Sequence, residues 1–219
     1  MAAIASVTSS SDPYVSGLLG SYKWASGSLT YSFPTSYTQF EGSYGSGEPL
    51  NNFEALNATQ QDVARAAFAN FAAVANLTFT ELTGADAANA TLRLAESDAP
   101  STAWAYMPHT APEGGDTWFN NSNGWYDNPR QGNYAYTTFL HEMGHTLGLE
   151  HPHENGMPAD GDSMEYSVMS YRAYVGAPLT GYPNETWGFA QSLMMYDIAA
   201  VQHLYGANFS TNSGNTTYS

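Results

Sequence analysis

The chain has 219 residues, of which 42% are hydrophobic, so it can form one domain with a sizeable core. Its 20 acidic and 5 basic residues give a formal net charge of −15, which repels phosphate groups and argues against nucleic acid and membrane surfaces as partners. Since it has no cysteine, disulfides are excluded and a transition metal must be bound by histidine, carboxylate or tyrosine.

The first half of the chain predicts one long helix and several short strands. Residues 1–15 are expected to be a flexible N-terminal segment, and a first strand follows at 29–33. Apolar residues recur at helical spacing between Asn57 and Asn76, which predicts an amphipathic helix. Four further strands are predicted at 77–82, 91–94, 102–107 and 117–120. One helix followed by several strands is typical of an α+β fold.

The second half predicts two helices. The first begins near Tyr134 and ends at Gly148, because glycine is well suited to end a helix. The second is predicted over 190–205. We expect the folded domain to span 16–208 and the polar residues 209–219 to be a tail or a truncated linker.

Residues 141–151 have the form HExxHxxGxxH, which is the sharpest functional signal in the sequence. His141 and His145 are four residues apart and lie on one helix face, where two imidazoles can bind one tetrahedral cation. Gly148 can adopt a positive φ and turn the chain back, so that His151 becomes the third ligand. The pattern predicts a zinc site with an open position for water.

Glu142 supplies the chemistry expected beside such a metal. It is rotated about 100° from His141 around the helix axis, which keeps it out of the ligand set but close to a zinc-bound water. Zinc lowers the pKa of that water and polarises a carbonyl, while Glu142 takes the proton and delivers it to the leaving amine. The sequence therefore predicts hydrolysis of internal peptide bonds. Two alternatives stay open: three solvated surface histidines, and a zinc-stabilised module that binds a peptide or inhibitor without turnover.

The motif resembles that of the metzincin peptidases, and residues 167–171 resemble the Met-turn of that group. The resemblance implies that Met169 lies beneath the zinc. It also implies that Tyr171 is a weak extra zinc ligand that donates a hydrogen bond to the tetrahedral intermediate; a buried aromatic beside a core methionine is the alternative. Pro152 after the third histidine is similar to serralysins, as are segments 18–24, 29–34 and 197–208. Tyr171 and Pro152 disfavour the matrixin-like alternative.

Resemblance to the serralysin catalytic domain implies an α+β zincin-like fold, with a twisted mixed sheet, a long backing helix, an active-site helix and a Met-turn. It implies a secreted, extracellular endopeptidase of broad specificity that acts as a monomer on proteins or peptides. A proteinaceous inhibitor is a further expected partner. The main calcium sites of serralysins lie in a β-roll after the catalytic domain, so calcium is left open as a second ion beside zinc.

Several residues outside the motif are candidates for supporting roles. The strand containing Ala103, Trp104, Ala105 and Tyr106 is predicted to be a sheet edge to which an extended substrate adds, although an internal strand would show the same alternation. Asp197 is expected to brace the floor of the site by hydrogen bonds.

Other polar residues are assigned structural roles. Asp160-Gly161-Asp162 could serve a cation, but a turn or helix cap is the favoured interpretation. The isolated histidines His109, His153 and His203 are expected to be surface or structural residues.

Overall fold

The computed structural model describes residues 2–214 and contains two sheets in that range. In the smaller sheet, β1 (Ile4–Ser6) pairs antiparallel with β2 (Tyr22–Trp24). The larger sheet consists of β3 (Ser28–Ser32), β4 (Thr78–Glu81), β5 (Leu92–Ser97), β6 (Ala103–Ala105) and β7 (Thr117–Asn120). Its order is β4-β3-β5-β7-β6, with four parallel strands and β6 antiparallel at one edge. The predicted mixed sheet is confirmed.

The α-helices in the described part of the chain are α1 (Pro13–Ser16), α2 (Ala58–Val74), α3 (Tyr134–Thr146) and α4 (Met195–Tyr205). Short 3₁₀ helices, which the sequence pattern did not predict, lie at Tyr37–Gln39, Glu48–Leu50 and Gly84–Asn89. None of the helices formed by residues 2–214 is long and apolar enough to cross a membrane.

Helix α2 backs the sheet. It begins at a reciprocal cap in which the Asn57 side chain accepts from the Gln60 amide at 3.1 Å and the Gln60 side chain accepts from the Asn57 amide at 2.6 Å. Its buried residues Phe68 and Phe71 belong to the main core, which α3 and α4 also enter. The α+β fold with a long backing helix is thus confirmed.

A separate aromatic cluster lies behind the edge strand. Phe40, Tyr44 and Trp118 are buried together, and Trp104 and Tyr106 pack against them. The carboxylate of Glu48, which is fully buried, accepts hydrogen bonds from the Trp104 indole at 3.0 Å and from the Tyr106 hydroxyl. These contacts anchor β6 and the following residue, Tyr106, to the aromatic cluster.

The structure departs from the sequence-based expectation at both ends of the domain. The segment 1–15, predicted to be flexible, contains β1 and the first turn of α1, where Asp12 caps the Tyr14 amide at 2.9 Å. Helix α4 begins at Met195 rather than at 190, because the Met194 amide donates to the Asp197 side chain at 2.8 Å. Residues 209–214 form neither helix nor strand. The last five residues of the predicted tail lie outside the described range.

Candidate metal centre and cleft

Helix α3 ends in a Schellman motif that reverses the chain. The Gly148 amide donates to the His145 carbonyl at 3.0 Å, and the Leu149 amide donates to the Gly144 carbonyl at 2.9 Å. Gly148 has a φ of +103°, and a Cβ there would lie 2.8 Å from the Tyr22 carbonyl oxygen. Only glycine tolerates both the positive φ and the close approach of this carbonyl. The turn that it forms brings the following residues back beside the helix.

The turn brings three imidazoles to one point. The Nε2 atoms of His141 and His151 are 3.1 Å apart, those of His145 and His141 are 3.1 Å apart, and those of His145 and His151 are 2.9 Å apart. Tetrahedral zinc with bonds of about 2.05 Å requires ligand nitrogens roughly 3.3 Å apart. The three nitrogens therefore lie within a few tenths of an ångström of the spacing that the metal demands.

The other nitrogen of each ring fixes the tautomer. His141 Nδ1 lies 2.8 Å from the Val168 carbonyl oxygen, and His145 Nδ1 lies 2.7 Å from the Leu149 carbonyl oxygen. His151 Nδ1 lies 2.8 Å from Glu154 Oε2. Since carbonyl and carboxylate oxygens only accept, each Nδ1 carries the hydrogen and each Nε2 presents a lone pair. Three converging lone pairs repel one another unless a cation lies between them, so the donor set fits zinc.

Burial keeps two of these histidines neutral. It lowers the pKa of His141 to about 3, with the neighbouring His151 adding to the effect, and it holds the pKa of His145 well below its usual value. Metal ligands must be unprotonated, and at these two positions the protein interior supplies that state without a metal.

Glu142 is 5% exposed and lies next to the histidine cluster on α3. Its Oε2 atom is buried and has no hydrogen-bond partner among residues 2–214. Burial alone raises the pKa of this carboxyl to about 8. A buried carboxyl with an unused oxygen at the wall of a cavity is suited to exchange protons with a bound molecule.

Two connected hollows flank the histidine cluster. One has a volume of about 210 Å³ and is walled by Tyr134, Thr137, Leu179 and Tyr182. The other, of about 220 Å³, runs along β6 past Glu150 and Glu154. Both hollows are lined by Ala103, His141, Glu142 and Tyr171, which means that they form one cleft passing between the edge strand and α3.

The predicted Met-turn lies against the cluster. Met169 is fully buried and packs onto α3 at Gly144. The Tyr171 ring lies 4.5 Å from the His151 ring and 5.6 Å from the His141 ring, measured between centroids. Burial raises the pKa of Tyr171 to about 12, so its hydroxyl keeps its proton at neutral pH.

Asp197 connects the Met-turn to α4. It is fully buried and accepts from the Ser167 hydroxyl at 2.6 Å, from the Val168 amide at 2.9 Å and from the Met194 amide. Since the Val168 carbonyl orients His141, Asp197 supports a ligand through one intervening residue. The contacts agree with the bracing role that the sequence suggested.

The isolated histidines differ in their distance from the site. His109 accepts from the Ala111 amide, and His203 bonds the Thr8 carbonyl, so neither contacts the cluster. His153 stacks on His151 with centroids 5.3 Å apart, and with Glu154 it forms a second group of potential metal ligands. That group shares His151 with the first and is therefore an extension of the same centre.

Sequence reasoning missed the partners of the ligand rings. Glu154 and the carbonyls of Leu149 and Val168 were not singled out, although the spacing of three residues between His151 and Glu154 could have indicated a contact. The position of Val168 depends on the tertiary path of the chain and leaves no pattern in the sequence.

Comparison with known proteins identifies the family of this fold and cluster. A family model described as matrixin, a peptidase family, matches residues 49–159, just over half of the chain, and its span includes all three histidines. The chain belongs to the matrixin peptidase family. Zinc is the metal of this family, and the predicted zinc site is consistent with that membership.

Several curated relatives of this matrixin-family chain are serralysins. Serralysin A of Dickeya chrysanthemi is 35% identical over 179 residues, which cover 76% of the chain and 37% of the relative. Metallopeptidase AprA of Pseudomonas marginalis is 34% identical over 204 residues, covering 87% and 42%. Serralysin C of Dickeya chrysanthemi is 36% identical over 211 residues, covering 88% and 42%.

The relatives confirm the predicted resemblance to a serralysin-like metzincin catalytic domain. The family model carries the matrixin name, whereas these relatives carry serralysin or metallopeptidase names. The names of the relatives agree with the preference for serralysins over matrixin-like peptidases that Tyr171 and Pro152 suggested. The chain spans about two fifths of the length of these curated relatives.

Proposed function

We propose that this domain is a zinc-dependent endopeptidase that hydrolyses internal peptide bonds of proteins. The observation that carries the proposal is the placement of Glu142, a buried carboxyl with an unused oxygen, in the same cleft as three converging Nε2 atoms. A purely structural zinc site needs no such carboxyl beside an open cleft.

His141, His145 and His151 would hold the zinc. When bound, this ion supplies a Lewis acid that polarises the scissile carbonyl and acidifies a water molecule. Glu142, whose ionised form the charge of a bound zinc would favour, accepts the proton of the attacking water and then gives it to the leaving amine. The unused Oε2 atom of Glu142 leaves this carboxyl free for both transfers.

Tyr171 supplies a second polar group to the same reaction. Its phenol stays protonated at neutral pH and lies in both halves of the cleft, so it can donate a hydrogen bond to the oxyanion that develops on the scissile carbonyl. Coordination of its oxygen to the metal between turnovers is part of the proposal, by resemblance to serralysins. Met169 would form the floor beneath the ion.

The substrate binds as an added strand along β6. This strand is at the edge of the sheet, and Ala103, Trp104 and Ala105 line the cleft. An extended chain that pairs with this edge is held by backbone hydrogen bonds, which any sequence can form. Such binding supports the expectation of broad specificity.

The remaining expectations are a secreted, extracellular and monomeric protein that meets protein substrates and, in the same cleft, a proteinaceous inhibitor. They are supported by resemblance to serralysins. Calcium stays open as a second ion; each group of three potential side-chain ligands found within residues 2–214 contains histidine, whereas calcium prefers oxygen ligands.

Zinc content and casein hydrolysis test the proposal. The parent protein, Glu142→Ala and Glu185→Ala are compared before and after a chelator, with the exposed Glu185 as a control for the loss of one negative charge. We expect about one zinc in all three proteins and a rate loss of roughly 10²–10⁴ in Glu142→Ala alone.

Two outcomes would contradict the proposal. Full activity of Glu142→Ala would remove the general-base role from this residue. Zinc binding by the parent protein without cleavage of any protein substrate would favour the peptide- or inhibitor-binding module instead.

A further inference from the structure

Asp162 is bonded to the residues on both sides of Tyr171. The Ser170 hydroxyl donates to Asp162 Oδ1 at 2.6 Å, and Arg172 Nε donates to Asp162 Oδ2 at 2.9 Å. Asp162 is 4% exposed and Ser170 is fully buried. Both carboxylate oxygens are thus in use, which favours a structural role for Asp160-Gly161-Asp162 over a cation site.

Further bonds close this arrangement around Tyr171. The Arg172 amide donates to the Ser170 hydroxyl oxygen at 3.0 Å, and the Met164 amide donates to the Arg172 carbonyl at 2.7 Å. The Arg172 guanidinium also reaches the Ala177 carbonyl. The backbone before and after Tyr171 is therefore fixed to one buried carboxylate.

The Tyr171 side chain itself has no comparable attachment. No hydrogen bond of its hydroxyl is found within residues 2–214, and the aromatic rings that its own ring contacts there are those of His141, His151 and His153. Its location therefore depends on the backbone that carries it. A displacement of about 1 Å at a reacting group can cost two orders of magnitude in rate.

We propose that Asp162 is a positioning residue that holds Tyr171 over the metal centre through Ser170 and Arg172. The inference rests on the proposed function, since Tyr171 matters as a hydrogen-bond donor only if the site cleaves peptides. Asp162 lines neither hollow of the cleft, and its side chain is bonded to Ser170 and Arg172, so its effect on the reaction is transmitted through these two residues.

The test combines Asp162→Asn with Tyr171→Phe. Asparagine keeps the size of the side chain but loses the charge that binds Arg172. We expect Asp162→Asn to lower kcat about tenfold, with KM and zinc content unchanged. In the double variant, Asp162→Asn should cause no further loss beyond that of Tyr171→Phe, because the same hydroxyl is already missing.

Asp160→Asn is the matched control. Asp160 lies two residues earlier, carries the same charge and accepts from the Tyr14 hydroxyl at 3.1 Å, away from Tyr171. Its replacement should leave kcat unchanged. A merely structural role of Asp162 would instead give a loss that multiplies with that of Tyr171→Phe, and this outcome would overturn the proposal.

Hydrogen exchange gives a readout that does not depend on turnover. Asp162→Asn should speed exchange at the Met164 and Arg172 amides, whereas Asp160→Asn should not; unchanged exchange would overturn the proposed attachment. If Asp162→Asn does not fold, Ser170→Ala removes one of the two links with the Arg172 ion pair intact, and the same comparisons apply to it.

The proposed peptidase function and the proposed role of Asp162 would be refuted by different results. If the parent protein binds zinc but cuts no protein, the proposed function fails and the role of Asp162 fails with it. If the parent protein cuts and the two losses multiply, only the role of Asp162 is refuted.

Discussion

Gly144 lies so close to Met169 that a Cβ at position 144 would be 2.4 Å from the Met169 sulfur. Met169 is fully buried, so its side chain can yield only by displacing the residues packed around it. The glycine inside the histidine motif therefore allows the Met-turn to pack directly against the helix that carries two of the three proposed ligands.

Gly144→Ala should destabilise the domain. Overpacking of a buried contact costs about 1–3 kcal/mol, which exceeds the helix propensity gained when alanine replaces glycine, about 1 kcal/mol or less. The free energy of unfolding, measured in urea, should fall, and zinc affinity should fall with it. Gly42→Ala is the control, because a Cβ at position 42 meets no atom within 4 Å. Equal stability of the two variants would contradict this packing argument.

Glu96 predicts a pH dependence of stability. It is 2% exposed, and burial raises its pKa to about 7, with the carboxylates of Glu54 and Asp127 adding to the effect. The folded state holds this proton to a higher pH than the unfolded state, so stability falls as pH rises from about 4.5 to 7. Glu96→Gln should remove the part of this fall that Glu96 causes and be more stable than the parent at pH 8, by up to about 3 kcal/mol.

Glu81→Gln is the control, because the pKa of Glu81 is shifted in the opposite direction to that of Glu96. Two hydrogen bonds from Arg65, at 2.8 and 2.9 Å, hold the pKa of Glu81 below its usual value. The stability that Glu81 contributes is present above the unfolded pKa and is lost as pH falls, so its replacement should destabilise the protein at pH 8. Urea unfolding at pH 4 and pH 8 separates the two carboxyls. A destabilised Glu96→Gln at pH 8 would refute the proposed cost of burying the charge.

The ligand set could be predicted from sequence because it depends on local geometry. His141 and His145 share a helix face by spacing alone, and Gly148 has the positive φ that its residue type suggested. The partners of the ligand rings are a different matter, since Val168 is 27 residues from His141 in sequence. Contacts of this kind depend on the path by which the chain after α3 returns to the site at the Met-turn.

Short elements escaped prediction for a related reason. The strand Ile4–Ser6 has three residues, too few for alternation to be recognised, and its pairing with Tyr22–Trp24 supplies the structure. The strand at 103–105 was recognised, but no periodicity indicates that it runs antiparallel to its neighbour. Pairing between distant segments, rather than propensity, determines these features.

Glu154 is the replaceable partner of the ligand rings, because the other two partners are backbone carbonyls. Removing a partner of this kind typically weakens metal binding 10–100-fold. Glu154 is exposed and water can replace it in part, so Glu154→Ala should weaken zinc binding about tenfold, and Glu154→Gln less. Competition with a chelator measures this, with Glu185→Ala as control. Unchanged affinity in Glu154→Ala would mean that His151 needs no such partner.

The edge strand offers a test of how the substrate is held. The Asn120 amide donates to the Thr102 carbonyl at 2.7 Å, and the Tyr106 amide donates to the Asp116 carbonyl at 2.8 Å. Because bonding alternates along an antiparallel strand, the even-numbered residues face β7, while Ala103 and Ala105 direct their N–H and C=O groups outward. These outward groups are available to an extended peptide in the cleft.

Ala105→Pro removes one outward N–H and no bond to β7, and proline is tolerated at such an edge position. One hydrogen bond contributes about 0.5–1.5 kcal/mol, so KM for a long peptide should rise roughly 2- to 13-fold, with kcat and zinc content unchanged. Ala105→Ser keeps the amide and should behave as the parent does. A peptide too short to reach the strand should show no difference between the variants. If both variants raised KM equally, the side chain rather than the backbone of Ala105 would contact the substrate, and strand addition at this position would be wrong.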